Sequence, residues 1–268
     1  MKKILLFLIT SSFFVACSEN AITGRKQLAL FGEATLQQQA LTEYQSFLSQ
    51  NKVISGSANR DAEMVKRVGN RIANAITSYY TQKGLGAELN GYKWEFNLID
   101  SKEVNAWCMP GGKVVVYTGL LGITQNEAAL AVVMGHEITH AVAHHGNERM
   151  SQGALAQGLE IVGNIATANN PKYNNLFNNI FAPTAQVAVL LPNSRNQEYE
   201  ADQYGLNFAA MAGYNPREAV PFWQRMAAAA NGQKPPEFLS THPADENRIA
   251  RLEAHMPTAL SYYKPVGK

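Results

Sequence analysis

Cysteine is scarce: the 268 residues contain two, Cys17 and Cys108. That excludes a disulfide scaffold and a zinc site built from cysteines alone. Charge is sparse as well, at 16% of residues, with a formal net charge of +2. Lys2 and Lys3 account for that surplus, so the rest of the chain has no net charge. With no basic cluster either, nucleic acid is not expected as a partner. Beyond the N-terminus no apolar run approaches the roughly 18 residues of a spanning helix. The hydrophobic share, 46%, is ordinary for a folded chain, and the length suits one domain around one sizeable core.

Residues 1–16 read as a targeting segment. Met1, Lys2 and Lys3 form a basic start, and Ile4 to Val15 an apolar stretch too short to cross a bilayer comfortably. Ala16-Cys17 resembles a bacterial lipobox, in which the cysteine is acylated and becomes the first mature residue. A lipoprotein-type signal over 1–16, with Cys17 lipidated, is therefore expected, and residues 17–268 form a single domain. Ordinary cleavage, leaving Cys17 free to pair with Cys108, is the alternative.

The body reads as α+β and mostly helical. Helices are expected over 33–50 and 59–82, the second with Met64, Val65, Val68, Ile72 and Ile76 as its buried stripe. Strands are expected over 94–99 and 113–118, with 104–109 extended between them. A helix over 124–145 follows, with Thr124 and Glu127 as a capping box and Gly146 at its end. Ser194 and Gln197 suggest a second capping box, on a helix closed by Gly213. Pro216 and Pro243 each start another, the last ending near His255. Residues 151–192 are rich in Gly, Ala and Asn, and are expected to gate the cleft as mobile helices and loops.

His136-Glu137-Ile138-Thr139-His140 lies inside the 124–145 helix. Residues four apart share a face, so both imidazoles can reach one Zn2+. Glu137 is placed to act as general base toward a water at that ion. Apolar flanks bury this helix, and buried imidazoles and a carboxylate need a compensating partner. A third ligand six residues after His140 is excluded, since that position is Gly146. His144 lies too far along the helix and is expected to be structural; His145 is expected to point elsewhere. A carboxylate from the later helix is the better source. Glu198 and Asp202 share a face, whereas Glu200 points away from Glu198. Glu198 is the expected ligand, and Asp202 accepts the spare N–H of a ligating imidazole. Ala201, Gly205 and Ala209 suggest a small-residue face packed closely on another helix.

HEITH, the later NSRNQEYEAD, the preceding NAWCMPGGKVVVYTGLL and the STHPADENRI segment appear in an order that resembles the M48 zinc metallopeptidases, and within them the bacterial secreted lipoprotein branch. AITGRKQLAL, just after Cys17, is similar to the start of those mature proteins. The resemblance implies a gluzincin-like core, with a small sheet whose edge strand lies over the active-site helix. It implies one Zn2+ per chain on His136, His140 and Glu198, with Asp202 behind them. His242 precedes a helix start from which it can swing toward the metal, and the resemblance makes it a site residue and Arg248 a second donor. Asn105 and Ala106 would take substrate as an added strand, a pairing that favours extended polypeptide. The implied function is a zinc endopeptidase of the bacterial envelope, acting on unfolded or misassembled proteins. It would face the periplasm on a lipid anchor, at the outer membrane more than the inner, near the envelope assembly machinery. The rival reading is a chaperone-like assembly factor with a plugged, latent zinc site.

Overall fold

The computed structural model describes residues 17–55, 59–156, 171–181, 194–230, 236–242 and 247–265. The expected signal segment lies outside these residues, as do Pro243 and most of 151–192.

Val-rich β6 (Lys113–Tyr117) is the centre of the molecule, and every residue of it is buried. It pairs in parallel with β4 (Glu95–Ile99) and antiparallel with β5 (Ala106–Met109). Two-residue β3 (Val53–Ile54) completes the order β3-β4-β6-β5, so β5 is an edge. Alternate residues feed two cores. Val114 and Val116 join Phe96, Leu98 and Ala106 on one face; Val115 and Tyr117 join Ile99, Trp107 and Met109 on the other. Burial on both faces explains an uninterrupted Val run in place of a polar alternation.

The first face is covered by α2 (Arg60–Gln82) and α4 (Glu127–Val142). In α2, the Asn59 side chain accepts from the Ala62 N–H, and Val65, Val68, Ile72 and Ile76 are buried. Behind α4 lie α7 (Ser194–Met211), α8 (Ala219–Ala230) and α10 (Arg248–Tyr262). The second face packs against α1 (Glu33–Gln50), α5 (His145–Ala156) and α6 (Pro171–Phe181). Short α3 (Thr118–Thr124) and α9 (Glu237–Thr241) complete the helices among the described residues. An antiparallel hairpin of β1 (Cys17–Glu19) and β2 (Lys26–Leu28) precedes α1. None of the described helices is long and apolar enough to cross a membrane.

The local signals of the active-site helix need correction. It starts at Asn126, whose side chain accepts from the Ala129 N–H. Thr124 instead ends α3, and Gln125 turns the chain at φ 64°. The helix ends at Val142; His144 takes φ 55°, and the chain restarts as α5. Gly146 therefore lies inside α5, at a contact where a Cβ would meet the Phe181 ring at 2.2 Å. Gly213, at φ 88°, does follow α7. Gln197 serves no capping box: its Oε1 accepts no hydrogen bond, and its Nε2 donates to Glu148 at 2.6 Å. The last helix continues through Pro257 to Tyr262. The α6 segment of 151–192 buries Tyr173, Leu176 and Phe177 in the second core, so this part is packed and not a loose flap.

Candidate metal centre

Three helical segments converge on one buried group of four donors. His136 and His140 come from α4, Glu198 from α7, and His242 from the end of α9. Their ligand atoms all lie within 4.8 Å of one another. His136 Nε2 is 3.1 Å from His140 Nε2 and 3.3 Å from Glu198 Oε2, and His140 Nε2 is 3.3 Å from Glu198 Oε1. His242 Nδ1 lies 3.0 Å from Glu198 Oε1 and 3.2 Å from His136 Nε2. Four donors placed tetrahedrally about a zinc at ~2.0–2.1 Å are separated by about 3.3–3.4 Å. The observed spacings of 3.0–3.3 Å fit that figure. The residue types, neutral imidazoles with one carboxylate, are those zinc takes.

The approach of α7 to α4 depends on two glycines. A Cβ on Gly135 would meet the Gly205 carbonyl oxygen at 2.5 Å, and one on Gly205 would meet the His136 N at 2.6 Å. Backbone thus touches backbone one residue from His136. The small-residue face expected from Ala201, Gly205 and Ala209 is this contact; Ala201 and Ala209 are fully buried.

Asp202 sits behind the donors. His136 Nδ1 donates to its Oδ1 at 2.9 Å, which leaves Nε2 bare toward the cluster. Arg248 Nη2 donates to the same oxygen at 2.7 Å, and its guanidinium stacks on Trp223 at 3.5 Å from the ring centre. Arg248 Nη1 lies 3.5 Å from the His242 carbonyl oxygen and 3.6 Å from Glu198 Oε2, so the guanidinium grips Asp202 and also borders the donor group.

Electrostatics follow the same pattern. Burial pushes the Glu137 carboxyl up, against the pull of His242 and His136. Burial also opposes charge on Glu198, yet His242 and His140 hold it well below the ordinary range. For Asp202 desolvation is outweighed by Arg248, then His136, and its pKa falls. Desolvation likewise disfavours charge on His136, but hydrogen bonds with Asp202 and Glu198 carry it up to about 9. His140 is pushed well down, by desolvation first. Two ionised carboxylates in a buried site create a demand for positive charge. Glu137 Oε1 lies 3.2 Å from His242 Nε2 without a well-formed hydrogen bond, so its lone pairs remain available.

Asn105 and Ala106 lie where the edge strand begins, both buried. Tyr117 N donates to the Asn105 carbonyl, so by antiparallel alternation the main chain of Ala106 and Cys108 faces the open edge. The Ala106 N–H is taken by the Asn105 side chain. Cys108 is a free thiol whose pKa burial raises. Cys17 opens β1.

The matching family is peptidase family M48, over residues 59–256. This chain belongs to peptidase family M48. Among similar proteins, the mitochondrial metalloendopeptidase OMA1 of Arabidopsis thaliana is 31% identical over 242 residues, covering 90% of this chain and 44% of that protein. OMA1 of Homo sapiens is 31% identical over 269 residues, covering 96% and 48%. The beta-barrel assembly-enhancing protease of Escherichia coli K12 is 30% identical over 185 residues, covering 65% and 38%. The chain thus spans about half the length of the OMA1 relatives it matches. For an M48 chain the donor set is in keeping with the family, and zinc is its metal.

Several residues around the M48 centre carried no sequence signal. His145 was expected to point elsewhere, yet its Nδ1 lies 2.9 Å from His140 Nδ1. The helix break at His144 is the cause, because it turns the next residue back toward α4. Arg149, on α5, is desolvated and faces the negative potential of Glu198 and Glu137; its Nε has no hydrogen-bond partner.

His144 is structural, as expected. Its Nδ1 lies 3.1 Å from Glu33 and its Nε2 3.6 Å from Glu88. Desolvation disfavours its charge, but the two carboxylates outweigh it and raise its pKa to about 9. A histidine raised on folding stabilises in full below its unfolded value of ~6.5 and loses that contribution as pH climbs through the folded value. His144→Gln is therefore expected to remove about 1–2 kcal/mol of stability at pH 6, after allowance for screening by solvent at the two glutamates, and almost nothing above pH 9.5. Urea unfolding of zinc-loaded parent and variant across this range checks the difference.

Proposed function

We propose that this chain is a zinc-dependent endopeptidase that cleaves peptide bonds in unfolded or misassembled envelope proteins. The observation that carries the reading is the buried donor group His136, His140 and Glu198 with Glu137 beside it. Zinc held there supplies a Lewis acid and brings the pKa of a water down to ~7. Glu137 takes a proton from the attacking water on its carboxylate and passes it to the leaving amine nitrogen. Its buried surroundings favour the protonated form between the two transfers. The outward main chain of β5, the Ala106 carbonyl and the N–H and carbonyl of Cys108, holds the substrate as an added strand, which selects extended chain and little sequence. Among the described residues, Arg149, which faces the negative potential of Glu198 and Glu137, is the cation assigned to charge developing on the substrate carbonyl.

The envelope setting rests on the residue 1–16 pattern, on Cys17 as the lipid anchor, and on the similarity to the beta-barrel assembly-enhancing protease of Escherichia coli. On this reading the protein is tethered in a bacterial envelope and faces the periplasm, at the outer membrane more than the inner, close to the assembly machinery. Chelation should abolish digestion of a reduced, unfolded protein, and zinc should restore it. Digestion persisting in fully demetallated protein would overturn the proposal.

One contact favours a second, latent state. His242 Nδ1 sits at the fourth corner of the donor group, where an active centre needs an open position. Phe238 packs on the His242 ring, and its N–H bonds to the Val104 carbonyl just before the edge strand. His242→Ala is expected to free that corner and raise the initial rate on short peptides several-fold. A fall of tenfold or more would instead make His242 a donor to the substrate.

A further inference from the structure

A ligating imidazole has one ring nitrogen for the metal and one for the protein, and what holds the second fixes tautomer and ring orientation. His136 is held by Asp202, itself gripped by Arg248. His140 is held differently. Its Nε2 belongs to the donor group, so the proton lies on Nδ1, which faces His145 Nδ1 at 2.9 Å. Only one proton fits between those atoms. His145 Nδ1 accepts, and its own proton lies on Nε2, which donates to Glu200 Oε2 at 3.0 Å. Glu200 in turn accepts from Arg25 Nε at 2.7 Å.

Arg25 also forks onto Glu148, with Nη1 and Nη2 at 2.7 and 2.6 Å from its two oxygens, and Gln197 adds an amide donor there. His145 is fully buried, and Glu148 and Glu200 are 2% and 9% exposed. Arg25 follows the turn of the β1–β2 hairpin, outside the matched residues 59–256. A second tie joins that hairpin to the centre: Asn20 Nδ2 donates to the Ala143 carbonyl at 2.6 Å, at the end of α4.

We propose that Arg25, Glu200 and His145 form a positioning relay that fixes the tautomer and orientation of His140, making the N-terminal hairpin a working part of the zinc site. The inference rests on the reading of His136, His140 and Glu198 as zinc ligands. It gives each α4 histidine the same kind of support, an arginine-held carboxylate, reached directly at His136 and through one more imidazole at His140. It also explains why Glu200, turned away from the metal, is buried.

The test is zinc affinity of the full-length chain by competition with a chromophoric chelator. His145→Phe and Arg25→Met are expected to weaken it by about 10–100-fold. Lys52→Met removes an exposed ion pair with Asp100 that touches neither the relay nor a ligand, and should leave affinity within about twofold. Equal affinity in parent, His145→Phe and Arg25→Met overturns the relay, as does a loss no larger than that of Lys52→Met. Should the relay variants fail to fold, nitrogen NMR of the zinc-loaded parent decides it. Protons on His140 Nδ1 and His145 Nε2 support the relay, and the opposite tautomer of His145 overturns it. A parent that binds no zinc, or binds it unchanged after His136→Ala, overturns the underlying zinc reading, whereas zinc lost with His136→Ala but unmoved by the relay variants overturns the relay alone.

Discussion

Glu137→Gln should bind zinc like the parent and lose at least about a thousandfold in kcat on an unfolded protein, near the upper part of what a lost general base costs. The carboxylate is 4% exposed and lies outside the donor group of His136, His140, Glu198 and His242, so an amide of the same shape fits its place. The amide cannot take a proton from water, and no neighbouring carboxylate can stand in. Glu198 belongs to the donor group and Asp202 is engaged with His136 and Arg248. KM should change little, because on the proposed reading the substrate is held by the main chain of the β5 edge and not by Glu137. Metal content and single-turnover digestion on the same preparation measure both halves of the expectation. A variant within tenfold of the parent would remove Glu137 from the base role. A variant that is inactive yet still rescues an envelope defect would favour the assembly-factor reading.

How much of this was legible in the sequence depends on the range of each interaction. His136 and His140 are readable because four-residue spacing fixes them on one helical face whatever the rest of the fold does. Glu198 and Asp202 share the same kind of local spacing. Rotation lets only one of positions 198 and 200 face the metal, and the acidic neighbour one turn on, Asp202, favours Glu198; the structure turns Glu200 to Arg25 and His145. Strands β4, β5 and β6 were readable as extended segments. The parallel pairing of β4 with β6 was not, since it is decided by what packs on both faces.

The misreadings share one cause. Helical patterning continues through Ala143, His144 and His145 with no Gly or Pro to stop it, so one helix to His145 was the natural reading. What stops it is distant: Glu33 and Glu88 hold the His144 ring, and Asn20 caps the Ala143 carbonyl. That tertiary override of local propensity redirected His145 and hid the relay with it. Arg25 was invisible for the same reason, being 123 and 175 residues from its carboxylate partners.

The glycine contact offers the sharpest test of how the fold makes the site. Gly205→Ala adds one methyl group where the nearest atoms are backbone: the His136 N at 2.6 Å and the Gly135 C at 2.7 Å. No side chain can rotate away, so α7 must move off α4. Overpacking of this kind typically costs about 1–3 kcal/mol, and for a chain of this size roughly 2–4 °C in Tm per kcal/mol. Glu198 lies seven residues before Gly205, close to two full turns and so on the same face. Any shift at the crossing therefore displaces the Glu198 carboxylate from His136 and His140, whose spacings to it leave little slack. Zinc affinity should fall by about a hundredfold or more, at the upper end of what a disturbed ligand shell loses. Gly153→Ala is the matched control. Its new methyl meets only the tip of Leu176 at 2.9 Å, which can rotate aside, so zinc affinity should be unchanged. Calorimetry and chelator competition on both variants separate general destabilisation from loss of the site. Parental zinc affinity in Gly205→Ala would mean that Glu198 reaches the donor group by side-chain freedom, and that the backbone contact has no part in building it.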